Sequence, residues 1–242
     1  MRSVHKRAGQ RQARWRCELI PREGIFAHWP NRITLVRFIG SLLLFGILHI
    51  WGMWTDNEGL VGGKLEPLVQ QVHADIGVFL KISFWLFIVI AATDFLDGWL
   101  ARRGNLVTAF GRIADPFVDK VLVIGAMVFL AVMDWSRVWF PAWIVVVIVA
   151  REFLVTGIRG YVESLGMQFP ADWFGKVKMV VQCTAIATVI GLFAFRWPAW
   201  CRDALAVMGH IFVWGTLLTT VGSGTSYVLK TRRLLQEGPT RR

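Results

Sequence analysis

The sequence predicts an all-α integral membrane protein with six transmembrane helices, an N-terminal interfacial segment and both termini cytoplasmic. Three observations predict it. Apolar runs of about twenty residues recur along the chain, the length an α-helix needs to cross a bilayer at about 1.5 Å per residue. The composition is 55% hydrophobic with thirteen tryptophans in 242 residues, and a soluble core of this size is too small to bury so many long runs. The first three polar stretches alternate in character: basic, acidic, basic. Basic connectors stay in the cytoplasm, so the alternation sets an orientation.

Residues 1–32 carry Arg2, Lys6, Arg7, Arg11, Arg14, Arg16, Arg22 and Arg32 against Glu18 and Glu23. No apolar run follows the first charges as in a cleavable signal peptide, so the segment reads as a retained basic extension. Leu19–Trp29 is predicted to lie along the interface, its charge suited to anionic headgroups. On a membrane protein the net charge of +11 is a topology signal, and no nucleic-acid partner is expected. Cys17, Cys183 and Cys201 are odd in number and scattered, with no disulfide framework or zinc spacing.

The first span is predicted from Ile33 to Trp54, with Asn31 as its cap and Arg37 snorkelling to the headgroups. The connector 55–75 is acidic through Asp56, Glu58, Glu66 and Asp75 against Lys64, which puts it on the opposite side. The second span covers Ile76–Phe95. Arg102, Arg103 and Arg112 follow with no acid from Trp99 to Ala114, a cytoplasmic loop. A third span runs from Pro116 to Met133, its start marked by Asp115 beside the proline. Further spans are predicted over Trp139–Tyr161, Phe174–Phe195 and Ala204–Tyr227. The domain plan is a basic extension at 1–32, one six-helix domain at 33–229 and a basic tail at 230–242.

Four carboxylates stand where the second and third spans meet water. Asp94 and Asp97 are at i,i+3 and Asp115 and Asp119 at i,i+4, so on helices each pair shares a face. Two such faces opposed require cations between them. As caps or solvated charges the aspartates are poorly explained, because no Lys or Arg stands three or four residues from Asp94 or Asp97. A cation pathway is a second reading. A third is a binuclear Mg²⁺ site, which uses carboxylate oxygens together with substrate phosphate. Gly98 and Ala101 favour the third, since they leave room for a bulky ligand on the aspartate side. Arg102 adds a planar fork suited to phosphate. Metal, bare backbone and guanidinium together describe a pyrophosphate-containing substrate.

A second group of charges, Arg151, Arg159 and Lys176, lies near the same membrane face. Snorkelling would account for them. Arg151 and Arg159 are about 12 Å apart along a helix, and Lys176 and Lys178 point to nearly opposite faces, so at most one of those lysines serves a pocket. Three cations beside a carboxylate site point to an acceptor that carries its own phosphate.

The pattern Asp94-x2-Asp97-Gly98-x2-Ala101-Arg102-x8-Gly111-x3-Asp115-x3-Asp119 resembles the complete signature of the CDP-alcohol phosphatidyltransferase family. The resemblance implies an enzyme that joins a CDP-activated lipid to an alcohol and releases CMP. It also implies two Mg²⁺ ions, or Mn²⁺ in their place, on Asp94, Asp97, Asp115 and Asp119, with Asp119 as the base. Asn31, Thr34, Gly98, Ala101, Arg102, Thr108 and Gly111 would surround CDP-diacylglycerol, and membrane lipids and a second copy of the chain would be partners.

Asn31-x2-Thr34-x2-Arg37, Asp115-Pro116-x2-Asp119-Lys120, Arg151-Glu152-x6-Arg159 and Gly175-Lys176-x-Lys178 are similar to the phosphatidylglycerophosphate synthase branch. That similarity implies glycerol 3-phosphate as acceptor, bound by Arg159 and Lys176 with Arg151, in a bacterial inner membrane with the site facing the cytoplasm. Gly104 and Val118 depart from the branch pattern but touch no metal ligand. Inositol phosphate, serine or a lipid as acceptor, and a cation transporter, are the competing readings.

The orientation has a direct check in a background with the native cysteines replaced by serine. A membrane-impermeant thiol reagent should label a cysteine at Gly62 from outside the cell and one at Asn105 only after the cell is opened. Labelling of both positions from one side would refute the six-span arrangement.

Overall fold

The computed structural model describes residues 29–56, 77–93, 109–165 and 173–237. Their regular structure is helical throughout: α1 (Trp29–Asp56), α2 (Gly77–Thr93), α3 (Ala109–Val132), α4 (Ala142–Ser164), α5 (Trp173–Ala194) and α6 (Ala199–Glu237). Within α1, α5 and α6 the stretches Asn31–Met53, Gly175–Ala194 and Ala199–Arg232 are long and apolar enough to cross a membrane, and α2 is a shorter apolar helix. The basic extension up to residue 28, with the interfacial segment, lies outside the described residues, as do the acidic connector at 57–76 and the loop at 94–108.

The helices are apolar on both faces, as expected of a bundle dissolved in lipid. On α3, Val118, Leu122, Ala126 and Leu130 recur every four residues and are buried. Its other side exposes Phe117, Val128 and Val132. On α1, Val36, Leu43 and Ile50 form an exposed stripe seven residues apart, and on α6 Val207, Ile211, Trp214, Leu218 and Val221 form another. Water would not tolerate such stripes on a monomer; hydrocarbon does. The inner faces meet in one core that includes Leu44, Phe87, Met127, Ile148 and Ile190.

Contacts fix the helix directions. Arg37 pairs with Asp119, Phe45 stacks on Phe129 and Gly52 faces Met133, so α1 and α3 run parallel. Trp143 meets Trp214 and Arg151 meets Ser223, so α4 and α6 also run parallel. Val181 faces Gly215 and Thr188 faces Gly209, which makes α5 and α6 antiparallel. The starts of α1, α3 and α5 therefore share one end of the bundle with the finishes of α4 and α6.

Several predicted boundaries move. α1 begins at Trp29 rather than Ile33, so Asn31 lies inside the helix and does not cap it. α3 begins at Ala109, so Asp115 does not cap it and Pro116 sits inside the helix. The proline forfeits one backbone hydrogen bond near the helix start, and the apolar residues before it continue the turn. α4 begins at Ala142 rather than Trp139, because residues 134–139 form turns and Pro141 supplies the first carbonyl, to Ile144 N at 2.9 Å. Proline at a helix start sacrifices no bond. α6 is 39 residues long, about 58 Å at about 1.5 Å per residue, and carries the first residues of the predicted tail as helix.

The closest approach of α1 and α3 depends on glycine. A Cβ on Gly125 would clash with Cζ at the tip of the Phe45 ring, with Cε2 2.7 Å away, and that ring is already stacked on Phe129 at 5.4 Å. Gly125→Ala should therefore lower stability in detergent by about 1–3 kcal/mol, the usual cost of overpacking. Gly46→Ala, where nothing lies within 4 Å, should leave the melting temperature unchanged or raise it. Equal melting curves for the two variants would contradict the packing described.

Candidate active site

The first turns of α1 place polar side chains where an apolar helix has no use for them. Asn31, Thr34, Arg37 and Ser41 recur at spacings of three, three and four, so they share one face, and all are buried. Arg37 is 4% exposed and its guanidinium pairs with Asp119 of α3; Ser41 Oγ donates to the Arg37 carbonyl at 2.8 Å. Arg37 therefore does not snorkel. A headgroup offers a guanidinium no better partner than a carboxylate already inside the bundle.

Asp119 is followed by Lys120, which donates to Thr156 of α4. Thr156 in turn donates to the Glu152 carbonyl at 2.7 Å. Glu152 is 9% exposed and is the hub of the second group: it accepts from Arg151 Nη1 at 2.7 Å and from Lys178 of α5. Arg151 Nη2 donates to Ser223 Oγ of α6 at 2.7 Å. Arg159, two turns on along α4, donates from Nη2 to Tyr227 OH at 2.8 Å. Arg151 and Lys178 thus meet on one internal carboxylate, Glu152, with Lys120 joined to the same helix through Thr156 and Arg159 two turns further along it. The surplus is positive, and the arrangement suits a phosphorylated ligand.

The structure places the predicted residues unevenly. Asn31 and Thr34 are buried on the face of α1 that carries Arg37, the residue that pairs with Asp119 of α3. Gly111 and Asp115 lie on α3, Asp115 one turn before Asp119. Asp94, Asp97, Gly98, Ala101, Arg102 and Thr108 lie outside the described residues. Among the described residues no three His, Cys, Asp or Glu come together, so a metal centre would need further ligands from outside them. What is present fits one: Asp119 offers hard oxygen donors and already holds a buried cation, the Arg37 guanidinium, as it would hold a metal ion.

Of the acceptor residues, Arg159 and Lys176 are exposed and Arg151 is buried. Lys176 and Lys178 do diverge, and Lys178 is the one turned inward. Sequence reasoning gave no role to Lys178, Glu152, Ser223 or Tyr227. Glu152 carried a signal: an acid within an apolar run must find a cation when it is buried.

Among the described residues, six helices with a buried ionic end and lipid-compatible flanks are those of an integral membrane protein. The profile of the CDP-alcohol phosphatidyltransferase family matches residues 27–222. This chain belongs to that family. It is 34% identical over 203 residues to a CDP-diacylglycerol–glycerol-3-phosphate 3-phosphatidyltransferase of Bacillus subtilis, covering 83% of this chain and 93% of the relative. Enzymes of the same name from Rickettsia felis and Mycoplasma pneumoniae are 32% and 29% identical over 153 and 188 residues. These alignments cover 61% and 76% of this chain, and 77% and 75% of the relatives.

Removing the hub charge should be costly. Glu152→Gln leaves Arg151 and Lys178 buried without a counter-ion and should destabilise the protein by about 3–5 kcal/mol, measured by denaturation in detergent. Adding Lys178→Met should recover most of that loss, since one surplus cation is removed. A double variant no more stable than Glu152→Gln alone would remove Lys178 from the cluster.

Proposed function

We propose that this protein transfers the phosphatidyl group of CDP-diacylglycerol to glycerol 3-phosphate, giving phosphatidylglycerophosphate and CMP. The observation that carries the reading is the surplus of cations around Glu152, next to Asp119, at the end of the bundle where α1, α3 and α5 begin. A neutral acceptor such as serine would not require it. The names of the relatives agree with this reading.

Asp94, Asp97, Asp115 and Asp119 would hold two Mg²⁺ ions, which would supply charge neutralisation for the pyrophosphate. Asn31 and Thr34, with Gly98, Ala101, Arg102, Thr108 and Gly111, would hold the CDP moiety. Arg159 and Lys176 would grip the acceptor phosphate, with Arg151 behind them. Asp119 takes the proton from the sn-1 hydroxyl of glycerol 3-phosphate. That oxygen forms a bond to the phosphatidyl phosphorus, and the bond from phosphorus to the bridging oxygen breaks. The electron pair leaves on CMP.

The same reading makes the six helices six spans of a bacterial inner membrane, with both termini and the reactive end facing the cytoplasm. In this reading the protein also pairs as a homodimer, as the family resemblance implies. The basic extension and the lysine- and arginine-bearing ends of α4, α5 and α6 support this orientation.

Purified protein with Mg²⁺ and CDP-diacylglycerol should release CMP when given glycerol 3-phosphate and not when given serine or inositol phosphate. Asp119→Asn, which keeps the shape but accepts no proton, should reduce release by about 10²–10⁴-fold. Release with serine alone would replace the acceptor. Full activity in the asparagine variant would remove Asp119 from the base role.

A further inference from the structure

The family match ends at residue 222, and the next turn of α6 does something the matched region does not describe. Ser223, Gly224 and Tyr227 form a cradle beneath the two arginines of α4. Tyr227 is 3% exposed, and the guanidinium carbons of Arg151 and Arg159 each lie 5.8 Å from its ring centre. Ser223 Oγ accepts from Arg151, and a Cβ on Gly224 would lie 3.0 Å from Arg151 Cγ. The bare backbone there lets the arginine stem pass.

The two arginines are held differently. Arg151 is buried, and both of its terminal amino groups are engaged, one by Glu152 and one by Ser223. Arg159 is exposed and makes a single hydrogen bond among the described residues, from Nη2 to Tyr227 OH. The bond takes one of the two Nη2 hydrogens; the other, with the neighbouring Nε or Nη1 donor, remains as a two-donor edge, the geometry that grips a phosphate through two oxygens. A separation of 5.8 Å is at the outer range of cation–π attraction. The hydroxyl, more than the ring face, therefore orients Arg159.

We propose that Tyr227 is a positioning residue that aims Arg159 at a phosphate monoester, and that Arg151 supports this turn from the interior without itself gripping the ligand. The proposal rests on the acceptor reading above. It extends the acceptor site onto α6, and it predicts that a long, lipid-facing helix takes part in substrate selection through one buried hydroxyl.

The test uses the full-length protein in detergent and two readouts: calorimetric binding of glycerol 3-phosphate without CDP-diacylglycerol, and steady-state CMP release. Tyr227→Phe should weaken glycerol 3-phosphate binding about three- to tenfold, the range for one lost hydrogen bond. The acceptor KM should rise by the same factor. The KM for CDP-diacylglycerol, kcat and the melting temperature should stay fixed. In the Arg159→Gln background the same change should have no further effect, because the two residues act as a unit.

Unchanged acceptor binding in both Tyr227→Phe and Tyr227→Leu would overturn the proposal. Full additivity with Arg159→Gln, or a rise in both KM values together with a lower melting temperature, would also overturn it and leave Tyr227 a packing residue. If the wild-type protein binds glycerol 3-phosphate through this pair yet releases no CMP with it, the proposed reaction fails and the cradle stands. If CMP is released and Tyr227 has no effect, the reaction stands and the cradle fails. Wild-type protein that neither binds glycerol 3-phosphate nor turns it over would overturn both.

Discussion

The carboxylate of Glu152 is the contact on which the reactive end depends. Arg151 and Lys178 share it, and through Arg151 the chain of contacts reaches Ser223 on α6. Lys120 and Thr156 extend it to α3. The carboxylate thus ties α4 to α5 directly and to α6 through Arg151, while α3 joins through the Thr156 hydroxyl, in surroundings where an unpaired charge is severely penalised. The cations it holds serve the fold, and in the proposed reading the ligand's phosphate is gripped instead by the exposed Arg159 and Lys176.

The opposite end is built from different materials. Trp51 meets Trp135 edge-on at 4.9 Å, Trp135 meets Phe193 at 4.8 Å, and Trp139 stacks on His210 at 4.1 Å. Large rings suit the bilayer interface and pack without bringing charge inside. Between the two ends, small residues let helices approach: Gly40 against Ile90, Gly125 against Phe45, Gly191 against Phe84. A tight middle and an aromatic far end hold the ionic end in register. That register matters, because Arg37 and Asp119 come from helices far apart in sequence.

Much of this arrangement was legible in the sequence, and the misses have physical causes. Apolar run length gave the helices, since hydrocarbon thickness is a hard constraint on any span. It could not locate the start of α3, where apolar residues continue on the far side of Pro116. Arg37 read as a snorkelling residue because snorkelling is the default for a lone cation near a helix end. Its partner, Asp119, is 82 positions away, and local spacing carries no information about that. The divergence of Lys176 and Lys178 followed from helical periodicity, but which of them faces inward depends on where Glu152 stands on the neighbouring helix. Asn31 and Thr34 were placed by family pattern alone, and their burial along with Arg37 shows the face they share. Nothing in the tail-ward sequence marked Tyr227, because a single tyrosine in an apolar run looks like an interfacial anchor.

The ionic hub also bears on how the chain is made. Taken alone, α4 would enter the bilayer with Arg151 and Glu152 side by side, nearly neutral as a pair. Taken alone, α5 would carry Lys178 into the membrane unmatched in its first turns, at a cost below the about 2.5–3.5 kcal/mol that insertion scales give for a helix centre. The acid that cancels this cost has already emerged from the ribosome when α5 follows. α4 therefore acts as a built-in insertion partner for the helix that succeeds it, and the order of the two helices in the gene is the order in which the charge can be accommodated.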